Sequence, residues 1–161
     1  METNSSENVD LLLRIDPHGW SSCTFLQKGH IVTLSASFLF GDPFEILITA
    51  LSQLDSGSPE ASFDWYDEPG GYRFTFRKLT SNERISLQID RFDESYGYNP
   101  QPRDRILEAT LPLSYWIVLY YLQLKKLACL LQDRTYAQNR QVFPFKLFRS
   151  FEALVLHRYF R

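Results

Sequence analysis

Leu111–Gln132 reads LPLSYWIVLYYLQLKKLACLLQ, and within it Tyr115–Leu122 is an unbroken run of eight apolar or aromatic residues. A run without a solvent face predicts a helix buried on most sides, at the centre of the core. Thr110 is the expected N-cap, with Pro112 in the first turn, where its missing N–H costs little. Beyond Leu122 the pattern turns amphipathic. Gln123, Lys125 and Lys126 share one side, and Leu124, Leu127, Ala128, Leu130 and Leu131 continue the apolar stripe. A membrane span needs about 20 mostly apolar residues. Ser114, Gln123 and the two lysines argue against one, so no membrane partner is expected.

Upstream of this helix the periods are those of strands. Residues 1–8, METNSSEN, are polar and expected to be disordered; residues 9–161 read as a single domain. Val9, Leu11, Leu13 and Ile15 alternate with Asp10, Leu12, Arg14 and Asp16. A Pro17-His18-Gly19 loop leads to a second strand, Trp20 to Gln27. A Lys28-Gly29 turn leads to a third, His30 to Phe40. Loops of three and two residues pair Leu13 with Cys23 and Cys23 with Leu34, which gathers apolar residues on one face. Asp42-Pro43-Phe44-Glu45 is a helix start, with Asp42 as N-cap, and Phe44, Leu47, Ile48, Leu51 and Leu54 form the buried stripe.

A second meander follows, with a turn at Glu68–Gly71. That loop sets Trp65 opposite Phe74 and Phe63 opposite Phe76. A Ser81-Asn82 turn then brings Arg73 beside Asp90. Asp93–Asp104 reads as a loop, Arg105–Thr110 as a short extended piece feeding the long helix, and Gln132–Gln141 as a connector or a frayed helix end. From Pro144, Phe148, Phe151, Val155 and Tyr159 line a last helix. The expected fold is α+β: an antiparallel sheet of about six strands in two meanders (βββαβββ), then a long buried helix and a C-terminal helix, packed on one face.

Charge is split along the chain. The net value is −2, but residues 1–100 hold 15 acids against 7 bases, and residues 101–161 hold 4 against 10. Packing the halves together would cancel much of this; an acidic face for a basic partner is the sharper reading. Cys23 and Cys129 lie in no metal-binding spacing, and both are expected as buried free thiols. No secretory leader pattern opens the chain, so the cytoplasm is the expected compartment.

No nucleophile–base arrangement, phosphate loop or dinucleotide fingerprint occurs, so no catalytic residue, metal or cofactor is assigned. Lys146, Arg149, Arg158 and Arg161 with nearby phenylalanines invite a nucleic-acid or membrane reading; net acidity weighs against nucleic acid. The remaining candidate is the outer end of the second meander. Asp64, Tyr66, Asp67 and Glu68 crowd one end, and Asp93, Glu94, Tyr96 and Tyr98 lie in the loop after its last strand. A tyrosine-rich acidic surface suits a basic protein partner.

Phe63–Phe74, FDWYDEPGGYRF, resembles small bacterial proteins of the toxin-immunity kind: an aromatic-ended strand, Glu-Pro-Gly, then a second aromatic strand. The likeness covers about a dozen residues and the strand–helix order. It implies a small, cytoplasmic, non-catalytic protein that neutralises a partner by occlusion, and it carries no defined functional residues. The alternative is a small-ligand-binding domain or divergent enzyme, with a pocket between sheet and helices. A homodimer is compatible with either.

Overall fold

The computed structural model describes residues 8–79, 83–94 and 100–161. Of the N-terminal residues expected to be disordered, 1–7 lie outside this set. Strands β1 (Val9–Asp16), β2 (Trp20–Gln27) and β3 (His30–Ser37) form a three-stranded antiparallel sheet. Its register is the one the loops dictate: Leu13 lies opposite Cys23, and Cys23 opposite Leu34. His18 and Gly19 have φ of 65° and 84°, and Lys28 and Gly29 have 50° and 77°, the left-handed conformations that such tight hairpins require. β3 stops at Ser37 rather than Phe40. There the Ser37 hydroxyl accepts the Leu39 amide at 3.0 Å, and the chain turns away.

Helix α1 (Pro43–Asp55) starts where the sequence places it. The Asp42 carboxylate accepts the Phe44 and Glu45 amides at 2.8 and 3.3 Å. Four strands follow the helix instead of three: β4 (Glu60–Tyr66), β5 (Gly71–Lys78), β6 (Arg84–Phe92) and β7 (Asp104–Pro112) form a second antiparallel sheet in sequence order. The strands thus number seven, in sheets of three and four, within the expected α+β class. The extra one is β7. Its Leu107, Ala109 and Leu111 complete the sheet's core face, which is why the piece read as a feeder pairs along its length with β6.

Arg73 lies opposite Asp90, as the sequence implied; the Ser81-Asn82 turn lies outside the described residues. The β4–β5 hairpin corrects the sequence by two residues. Phe63 faces Phe74, Asp64 faces Arg73, and Trp65 faces Tyr72, so the loop is Asp67–Gly70. The glycines explain the choice. Gly71 sits inside the strand, where a Cβ would lie 2.2 Å from the Trp65 carbonyl oxygen. A Cβ on Gly70 would lie 2.3 Å from that of Phe92.

Helix α2 (Leu113–Leu130) begins later than Thr110 predicts, because β7 runs on to Pro112, which occupies the N-cap without a side-chain cap. It buries one face, carrying Trp116, Ile117, Tyr120, Tyr121, Leu124, Leu127 and Ala128. The run of eight apolar residues is therefore not covered all round: Tyr115 and Leu122 are exposed and Leu119 is half-buried. β1 and α4 are the elements that pack most extensively on α2. Cys129 is exposed on the same outer side of α2, whereas Cys23 is buried and its thiol pushed up by that burial.

A short turn of helix, α3 (Arg134–Ala137), precedes α4 (Phe145–Tyr159), which buries Phe148, Phe151 and Val155 as expected. One apolar cluster runs from Val9 to Val155. Both buried indoles find acceptors in it: Trp65 donates to the Pro43 carbonyl at 3.1 Å, and Trp116 to that of Ile85 at 3.0 Å. The interior between sheets and helices is filled by rings, with Phe63 stacked on Phe74 at 4.7 Å and Phe76 edge-on to Trp116 at 6.2 Å.

The outer edge of β1 is closed by side chains from distant segments. Tyr115 donates to the Val9 carbonyl at 2.9 Å, Lys126 to that of Leu13 at 2.7 Å, and Arg140 to that of Ile15 at 2.8 Å. The Leu13 amide donates to Gln123 at 3.3 Å. Three arginines from the basic half pair with acids of the acidic half: Arg103 with Asp93, Arg105 with Asp90, and Arg158 with Asp55. Much of the charge asymmetry is thus cancelled within the fold.

Candidate functional site

The acidic–aromatic end of the second meander lies against the end of β3 in the first. The Ser35 hydroxyl donates to Asp67 Oδ1 at 2.6 Å, and the Ser37 hydroxyl reaches Glu68 Oε1 at 3.4 Å. Tyr72 donates to Asp67 Oδ2 at 3.3 Å; its hydroxyl pKa is raised by burial and then by that carboxylate, so it stays a donor. The turn closes with the Asp67 amide on the Gly70 carbonyl at 2.8 Å and contains a cis Glu68–Pro69 bond. A cleft of about 270 Å³ opens beneath it, lined among others by Asp67, Glu68, Arg91 and Asp93.

The predicted residues divide by role. Asp64 is held by a two-pronged contact from Arg73, and Asp93 pairs with Arg91 and Arg103. Asp67 is half-buried in its hydroxyl contacts. Glu68 and Glu94 are exposed. Tyr66 packs its ring against Phe40 at 4.9 Å and Phe92 at 5.9 Å, and burial followed by the Asp64 charge raises its hydroxyl pKa. Tyr96 and Tyr98 lie outside the described residues. Asp67, Glu68 and Asp93 therefore meet around one cleft, while Asp64 serves the sheet face.

Two residues of this corner have no counterpart in the sequence-level site. Leu39 and Phe40 protrude from the β3–α1 loop with 72% and 51% of their surface exposed. Their apolar pattern reads as a continuation of β3. The signal against that reading is Gly41-Asp42-Pro43, which requires a turn before the helix and leaves the two side chains without a sheet to face.

No group of His, Cys, Asp and Glu among the described residues could hold a metal ion, and no described helix is long and apolar enough to cross a membrane. No protein family, curated protein or solved structure matches the chain.

Proposed function

We propose that the chain is a non-catalytic protein-binding module that docks a basic partner on this corner and acts by covering it. The exposure of Leu39 and Phe40 carries the reading. Large apolar side chains held in water beside Tyr66, on a corner tied by Ser35–Asp67 and Ser37–Glu68, have the make-up of an interface anchor. The Phe40 ring already rests on Tyr66, so less ordering at that residue opposes association. Glu68 and Glu94 at the rim would steer a positively charged partner. The likeness of Phe63–Phe74 to immunity proteins points toward occlusion as the mode of action.

The test is capture of a partner on the immobilised chain, followed by association and dissociation rates at low and high salt. Glu68→Lys with Glu94→Lys should slow association, and Leu39→Ser with Phe40→Ser should speed dissociation. A partner that binds both double variants like wild type, at both salt levels, removes the corner from consideration.

A further inference from the structure

The four sheet edges are treated differently. β1 is closed by Tyr115, Gln123, Lys126 and Arg140. β7 carries Asp104, Arg105, Glu108 and Pro112, and its Glu108 carbonyl accepts from Gln27 at 2.9 Å. β4 carries Glu60 and Asp64 and has α1 packed along it. Charges, prolines and covering elements of this kind keep strand edges from pairing with other chains. β3 has no charged residue or proline between Lys28 and Asp42, and among the described residues the second sheet approaches it only where Ser35 and Ser37 meet Asp67 and Glu68, which leaves its first half bare.

The direction of the free groups follows from the register. The side-chain bonds to β1 fall on Val9, Leu13 and Ile15, so those odd positions point out of the sheet. Antiparallel alternation then turns the amides and carbonyls of Ile31 and Thr33 outward on the far edge. Neither residue's backbone makes an outward hydrogen bond among the described residues. Both side chains are exposed, Ile31 by 69%.

Unpaired donors and acceptors at strand spacing recognise one chemistry, the backbone of another extended segment. Beside the open stretch lies a cleft of about 360 Å³ whose walls include Phe25, Val32, Ile106 and Leu107, suited to an aliphatic side chain. At the other end Ser35 leads directly to Asp67 and Glu68. Val32 and Ser35 are separated by about 10 Å at the usual strand rise.

We propose that the β3 edge takes an extended segment of the partner as an added strand, with an aliphatic residue at the Val32–Ile106–Leu107 cleft and a lysine or arginine about three positions away at Asp67–Glu68. This rests on the protein-binding reading of the neighbouring corner and names the form its ligand takes.

The probe is a phage-displayed library of random nine-residue peptides, panned on the full chain. Enrichment of peptides with an aliphatic and a basic residue at that spacing is expected. A synthetic selected peptide should lose about tenfold or more in affinity to Thr33→Pro, which removes an outward donor that the sheet does not use. Ile31→Lys places a guarding charge on an already exposed position; it should lose binding similarly with an unchanged unfolding midpoint, which covers the case of Thr33→Pro misfolding. Absence of enrichment, or selected peptides indifferent to both substitutions, overturns the proposal. Peptides lost with Leu39→Ser and Phe40→Ser but retained by the edge variants would leave the corner standing and remove strand addition. Peptides lost only with the edge variants, and indifferent to Glu68→Lys, would remove the acidic anchor and with it the reading of the corner.

Discussion

Arg73 grips the Asp64 carboxylate with two hydrogen bonds, Nε to Oδ1 at 2.8 Å and Nη2 to Oδ2 at 3.0 Å. The pair belongs to a row in which Asp64, Arg73, Asp90 and Arg105 lie opposite one another across four strands, alternating in sign. Their charges neutralise one another across the outer face of the larger sheet. Arg73→Met would leave two carboxylates flanking an apolar side chain. With both members of the pair partly screened by water, a loss of roughly 1–2 kcal/mol is expected. Urea denaturation at low and high salt measures it, and a loss near zero at both would show that the row contributes nothing to stability.

Phe74→Ala should cost about 3–5 kcal/mol, since the ring is buried between Phe63 and Trp65. Leu122→Ala, on the open side of α2, should change stability by no more than about 0.5 kcal/mol. The contrast is diagnostic. Equal costs at the two positions would mean that the outer face of α2 is covered in solution.

Glu152 supplies a pH-dependent contribution. Burial alone would raise its carboxyl pKa, but hydrogen bonds from Lys125 and Tyr121 outweigh that effect and hold it below its ordinary value. Tyr121, pushed up to about 12 by burial and by Glu152, remains a donor throughout the ordinary range. A depressed folded-state pKa means that the contribution is fully present above the unfolded carboxyl value, about 4.3, and is lost as pH falls through the folded one. The stability gap between wild type and Glu152→Gln should therefore be constant near neutrality and shrink in acid. A gap that widened on acidification would reverse the sign and exclude this account.

Legibility in the sequence followed the range of the interactions. The first meander could be read because its turns fix register locally, and a one-residue slip would expose Leu11, Leu13 and Ile15. The second hairpin could not be fixed in the same way. A slip of two keeps Phe63, Trp65, Phe74 and Phe76 inside, and the choice rests on how closely Gly70 and Gly71 approach the Phe92 and Trp65 backbones, a long-range matter. Tyr115–Leu122 misled for a related reason: an apolar run states what can be buried, whereas the number of neighbours decides which sides are. At the candidate site the carboxylates were legible as a cluster. Their pairing with Arg73 and Arg103 depends on contacts between separate segments, and the exposure of Leu39 and Phe40 depends on where β3 stops.

The closure of β1 sets an order of events during synthesis. The partners of its edge lie far along the chain: Tyr115 is 106 residues from Val9, Gln123 and Lys126 are 110 and 113 from Leu13, and Arg140 is 125 from Ile15. A ribosome adding about 5–20 residues per second leaves that edge bare for several seconds after the first meander has emerged. During that interval the nascent chain displays two open strand edges rather than one. Chaperone engagement, or crowding by neighbouring copies on the same message, would act on this transient form before the helix that seals it has been made.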